Sequence, residues 1–130
     1  MPKVNILAIG AHPDDIELSC SGLLAKEIDR GKSVALLDLT QGELGTNGDE
    51  ITRKKEAEKA ADILGAKSRR NLAMPDAFFE NNKENQLLII EQIRDLQPDV
   101  VLCNAIDDRH IDHPRAAQLV HDACFLSGLA

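Results

Sequence analysis

The chain has 130 residues, the length of one ordinary domain and enough to bury a real core, so no second domain is expected. Its net charge of -7 and pI near 5.0 speak against a nucleic-acid or anionic-membrane surface, since both need clustered Lys and Arg. Hydrophobic residues make up 43% of the chain but aromatics only 2%, so the core must be built from Leu, Ile, Val and Ala, and base-stacking platforms are excluded.

Val4 to Ile9 is a continuous apolar run, which predicts a strand buried on both faces. It is too short and too soon interrupted for a signal peptide or a membrane span. Directly behind it stands Ala11-His12-Pro13-Asp14-Asp15-Ile16-Glu17, in which Pro13 fixes its own φ and pushes His12 towards extended geometry. A helix follows from Leu18 to roughly Arg30, with Leu24 and Ile28 one turn apart and Gly31 as the stop. Ser33 to Leu39 is a second buried strand. Thr40 to Glu50 holds Gly42, Gly45, Asn47, Gly48 and Asp49, which is loop chemistry, and a loop after such a strand is a place for substrate contacts.

The next helix runs from about Thr52 to Leu64, with Ala57, Ala60, Ala61 and Leu64 facing inwards and Gly65 at its end. Ser68 to Leu72 is a weak strand, followed by the turn Met74-Pro75-Asp76. Asn85 to Leu96 is a helix that Pro98 stops, and Asp99 to Cys103 is a strand with Val100-Val101-Leu102 as its buried core. The loop Asn104 to Arg109 leads into Arg109-His110-Ile111-Asp112-His113, and a last helix spans His113 to about Leu126. Cys20, Cys103 and Cys124 are odd in number and lie in apolar segments, as expected for reduced, buried thiols of a cytosolic protein.

Strand and helix repeated four times with short links predict an α/β fold, a three-layer Rossmann-like arrangement of about four mainly parallel strands with helices on both faces. Sites in such folds gather at the carboxyl ends of the strands. Both histidine clusters follow strands, the first and the fourth, so the topology can bring them together. A dinucleotide site is not indicated, because Gly10 stands alone before His-Pro-Asp-Asp, and neither G-x-S-x-G nor C-x-x-C occurs.

Asp14, Asp15 and Glu17 repel one another near a low-dielectric sheet, a cost that a bound cation would remove. His12 and Asp15 offer a nitrogen and an oxygen ligand, a pair suited to zinc and other divalent first-row metals. The other reading is a helix N-terminus capped by Asp14 or Asp15, with Glu17 favourable to the dipole. His110 and His113, flanked by Asp107, Asp108 and Asp112, are either surface histidines of a polar loop or the second half of a metal site. With both clusters at neighbouring strand ends the metal site is favoured, since two histidines, one carboxylate and a water form the open catalytic pattern.

His12-Pro13-Asp14-Asp15, the Gly42-Glu43 loop, Arg53 and His110-x-Asp112-His113, in this order, resemble the LmbE-like, or PIG-L, family of metal-dependent N-acetylglucosaminyl deacetylases. The wording Ala-His-Pro-Asp-Asp-Ile-Glu-Leu with Gln41-Gly42-Glu43-Leu44-Gly45-Thr46 is most similar to the bacillithiol-biosynthesis branch. The resemblance implies His12, Asp15 and His113 as ligands of Zn2+ or another divalent first-row metal, and Asp14 as general base. It implies His110 as an imidazolium serving the oxyanion or the departing amine, with Asp112 orienting either it or a ligand histidine. Arg53, Arg109 and Glu43 would contact substrate; Arg109 and Asp76 are equally readable as surface ion-pair partners.

Ile111 stands where the family usually has proline, which should loosen the turn and spare the ligands. Family members are longer, so the 130 residues are expected to be the N-terminal part of a longer domain with an open sheet edge, a hazard for oligomerisation. The function implied is deacetylation of a small amino-sugar conjugate, N-acetylglucosaminyl malate being the best candidate, with no nucleic acid or membrane partner. The alternatives are a metal-binding or assembly module without activity and a magnesium-dependent phosphohydrolase.

Overall fold

The two unbroken apolar runs form the middle of the sheet. The computed structural model describes residues 3–45 and 49–129, Glu50 by its backbone alone, and within them the chain alternates strictly: β1 (Ile6–Gly10), α1 (Asp15–Asp29), β2 (Val34–Thr40), α2 (Glu50–Leu64), β3 (Ser68–Met74), α3 (Lys83–Leu96), β4 (Val100–Leu102) and α4 (Asp112–Ser127). Thr46, Asn47 and Gly48 of the predicted loop lie outside the described residues. All strand pairs are parallel, in the order β3-β2-β1-β4.

Every residue of β2 is buried, which explains why its sequence does not alternate. Leu7 and Ile9 of β1 join Leu37 and Leu39 against α3 and α4, where Ile89, Leu96, Leu119 and Val120 close the layer. Ala8 and Leu36 point the other way, onto Ile16, Leu24 and Ala61 from α1 and α2. This is the predicted α/β class with helices on both faces. Truncating any of these buried leucines to Ala should cost about 2–5 kcal/mol.

Helix ends follow local chemistry. Asp49 accepts a hydrogen bond from the Thr52 amide at the start of α2, and Asn82 does the same for Asn85 at the start of α3. α1 differs: it begins at Asp15, three residues before the predicted Leu18, and Asp14 at its N-cap makes no capping bond. The capping reading of Asp14 is therefore corrected.

β4 is not a buried core strand. Among the described residues it lies at the sheet edge with only β1 beside it, and Val100 is 48% exposed while Val101 and Leu102 are half-buried. The same edge explains the thiols: all three cysteines are free, but Cys103 is exposed behind β4 and Cys20 and Cys124 are half-buried. No helix among the described residues is long and apolar enough to cross a membrane.

From β1 the chain moves through α1 to β2 and β3, and then returns through α3 to place β4 on the far side of β1. Strand order thus reverses between β1 and β4. The segments leaving these strands diverge, α1 to one face and α4 to the other, and open a crevice at their carboxyl ends.

Candidate functional site

Both histidine clusters meet in that crevice. The His12 ring centroid lies 4.8 Å from that of His110 and 5.6 Å from that of His113. His12 Nδ1 faces Asp15 Oδ2 at 3.5 Å, and His113 Nε2 faces the same oxygen at 3.3 Å. One ligand atom from each of His12, Asp15 and His113 falls within a common 4.8 Å.

The other nitrogen of each histidine is engaged elsewhere, and Asp15 Oδ2 is itself held in place. His12 Nε2 lies 2.7 Å from Asp112 Oδ2 and 3.1 Å from Asp76 Oδ1, and His113 Nδ1 lies 3.0 Å from Asp108 Oδ2. Asp15 Oδ2 accepts from the His12 amide at 3.0 Å and from Asn104 Nδ2 at 3.2 Å. Each histidine therefore has a carboxylate on one nitrogen and presents the other to Asp15, the arrangement that orients metal-binding imidazoles. His113 Nε2 is buried without a hydrogen-bond partner among the described residues, so a divalent cation fits where it points.

His12, His110 and Asp112 also lie close together, and Asp112 Oδ1 is, like His113 Nε2, buried without a hydrogen-bond partner among the described residues, with Arg115 Nη1 3.6 Å away. Asp112 Oδ2 accepts from the Ala77 amide at 3.2 Å as well as meeting His12, and His110 Nδ1 accepts from the Asp112 amide at 3.1 Å. A backbone amide can only donate, so His110 Nδ1 is the acceptor in this contact and Nε2 is the ring nitrogen left over. The Asp112 carboxylate lies against His12, one of the two partners left open for it.

Burial lowers the proton affinity of His12, but hydrogen bonds to Asp15 and Asp112 and the charges of Asp15 and Asp76 outweigh it and raise its pKa from 6.5 to about 9. Burial works against ionisation of Asp15, yet its bonds to His12 and the charge of His113 hold its pKa below the usual carboxylate range. The raised His12 pKa means its stabilising charge is fully present below pH 6.5 and lost as pH rises through about 9. A cation needs the neutral ring, so loading near neutral pH should release about one proton per ion and tighten as pH approaches the pKa of His12. Calorimetry of zinc uptake in buffers of different ionisation enthalpy reads the proton count directly, and a count of zero would contradict the assignment.

Carboxylate crowding is solved only in part by such an ion. Glu17 turns away to Arg69, a residue the sequence reading passed over, and Asp14 is exposed. Asp76, equally readable as a surface partner, is buried: its Oδ2 accepts from the Leu44 amide at 2.9 Å, while Glu43 Oε2 accepts from the Asp76 amide at 2.9 Å. Glu43 thus clips two loops together. Arg53 donates to the Gly42 carbonyl, and an added Cβ at Gly42, where φ is +63, would stand 2.7 Å from its Nη1. Arg53, Asp14, Asp76, His110 and Leu44 line a cleft of about 450 Å³ with the candidate ligands His12 and Asp15. Arg109 is exposed and is not among the residues lining that cleft.

Gly10 lets α1 approach β1. A Cβ there would lie 3.0 Å from Asp15 Cβ and 3.3 Å from Ile16 Cγ1. Gly10→Ala should displace Asp15 and weaken zinc affinity by about tenfold or more, on the scale of a disturbed outer shell. A chelator-competition titration checks this.

Residues 7–124 match the family model PIG-L, GlcNAc-PI de-N-acetylase. The uncharacterized deacetylase YaiS of Escherichia coli K12 is 35% identical, the match covering 94% of this chain and 69% of that one. The diacetylchitobiose deacetylase of Thermococcus kodakarensis is 31% identical over 95% of this chain and 50% of its own length. The 4-oxalmesaconate hydratase of Pseudomonas putida is 28% identical over 94% and 52%. Among solved structures, the conserved protein TT1542 from Thermus thermophilus superposes with a TM-score of 0.93 at 40% identity, covering 97% of this chain and 57% of that one. The chain thus spans between half and about two thirds of the length of these relatives. With a parallel sheet, both histidine motifs and the family match over nearly its whole length, the chain belongs to the PIG-L, or LmbE-like, deacetylase family.

Proposed function

We propose that the chain is a zinc-type hydrolase that removes the acetyl group from the 2-amino group of an N-acetylglucosamine conjugate, N-acetylglucosaminyl malate being the first candidate. The observation that carries the reading is the approach of His12 Nδ1, an Asp15 oxygen and His113 Nε2, which has no hydrogen-bond partner among the described residues, to one another, beside an Asp14 carboxylate that makes no capping bond. A divalent ion held there would supply Lewis acidity and draw the pKa of water towards neutrality.

The chain's own groups divide the remaining work. Asp14, in the cleft wall and making no capping bond, takes the proton of the attacking water and hands it to the amine nitrogen as the carbon–nitrogen bond breaks, leaving acetate and the free amine. Its neighbour Asp15 is committed as ligand. His110, fixed by the Asp112 amide with its proton on Nε2, donates to the oxygen that gains charge as the amide carbonyl is attacked. Asp112 holds His12 by Nε2 so that Nδ1 faces Asp15, and Asp108 holds His113 in the same manner. Arg53, anchored on the Gly42 carbonyl, remains a candidate for sugar hydroxyls or a carboxylate.

The purified chain, loaded with zinc, should release acetate from N-acetylglucosaminyl malate or N,N′-diacetylchitobiose, and a chelator should stop it. One ion bound per chain with no acetate from either compound would instead make it a metal-binding module. The hydratase relative favours one second reading, the same cleft adding water to a carbon–carbon double bond. Turnover of 4-oxalmesaconate without acetate release would establish it.

A further inference from the structure

Glu17 and Arg69 lie outside the reaction as described, and yet Arg69 is among the most thoroughly bonded side chains of the protein. Only 5% exposed, it donates from Nε and Nη2 to both oxygens of Asp38 at 2.7 and 2.9 Å. Its Nη1 and Nη2 donate to both oxygens of Glu17 at 3.0 and 3.2 Å, and Nη1 reaches the Ala57 carbonyl at 3.4 Å. One guanidinium from β3 therefore ties β2, α2 and the first turn of α1 together. The planar fork suits two bidentate carboxylates at once.

That first turn carries the least comfortable backbone of the site. Asp14 has φ 95, a left-handed conformation for a residue with a Cβ, and no side-chain cap holds it. Such a conformation persists only where both flanks are held. On the ligand side the Asp15 carboxylate is held by the His12 amide and Asn104. On the helix side, among the described residues, the only side chain of the turn with a charged partner is Glu17.

We propose that Arg69, acting through Glu17, is a positioning residue that holds the first turn of α1 so that the Asp14 carboxylate stands in the cleft. The proposal rests on Asp14 being the base. Among the described residues no hydrogen bond or ion pair joins Arg69 or Glu17 to His12, Asp15 or His113, so their loss should appear in turnover and leave metal binding alone.

The variant of choice is Glu17→Ala, because Arg69 keeps Asp38 as its counter-ion; Arg69→Met would leave Asp38 buried without one. With the zinc-loaded chain and N,N′-diacetylchitobiose, kcat should fall about tenfold or more at unchanged KM and zinc affinity, the scale of a misplaced reacting group. Glu17→Gln, which can still accept from Arg69, should recover most of it. Unchanged kcat in Glu17→Ala, or zinc affinity falling in step with kcat, would overturn the proposal. A crystal structure of Glu17→Ala gives a readout independent of activity. Asp14 should leave the left-handed region, and a φ that stays near its present value overturns the proposal even if the chain proves to catalyse another reaction.

Discussion

Asp14→Asn should lower turnover by about a hundredfold or more, or about 2.7 kcal/mol of transition-state stabilisation, while zinc affinity stays where it is. The substitution is unusually clean here. Asp14 is exposed, lines the cleft, and makes no capping bond, so an isosteric amide disturbs no observed contact. Asn also tolerates the left-handed backbone at φ 95, so thermal unfolding should move by no more than about 0.5 kcal/mol. Steady-state kinetics beside a zinc titration check both halves. Wild-type turnover in the variant would remove the base assignment and leave the metal site standing.

His113→Ala should weaken zinc binding by more than about a hundredfold, beyond the range seen for outer-shell changes. His113 sits in the first turn of α4, and its Nε2 has no partner among the described residues to compensate for a missing ion. The helix itself is held by Ala116, Leu119, Val120 and Ala123, all buried, so the variant should fold. Zinc at a hundred times its dissociation constant stabilises a folded protein by about 2.7 kcal/mol. Thermal melts with and without zinc should show that gain in the wild-type chain and no more than about 0.4 kcal/mol in His113→Ala. A variant that still gains it would mean the ion sits elsewhere.

The alternation of elements and the burial of β1 and β2 were legible because a strand covered on both faces must be apolar throughout. Such a run carries no information about its place in the sheet, and β4 shows the cost: Val100-Val101-Leu102 reads like a central strand and lies at an edge. The candidate metal-binding residues were legible because they form two dense local clusters. Long-range partners leave no such trace. Asn104 on Asp15, Asp76 on His12 and Arg69 on Glu17 each come from a separate segment, and only the turn Met74-Pro75-Asp76 gave a hint. Arg69 gave no signal, since it stands far along the chain from the Asp14–Glu17 motif and nothing in the sequence shows that it faces α1 from β3 rather than solvent.

The most direct measurement is anomalous diffraction at the zinc edge from crystals of the 130-residue chain grown with zinc. We expect a single strong peak about 2.0–2.2 Å from His12 Nδ1, an Asp15 oxygen and His113 Nε2, with Asp112 still on the opposite nitrogen of His12. A peak held by His110 and Asp112, or no peak between residues 12, 15 and 113, would contradict the metal centre and with it the proposed hydrolysis.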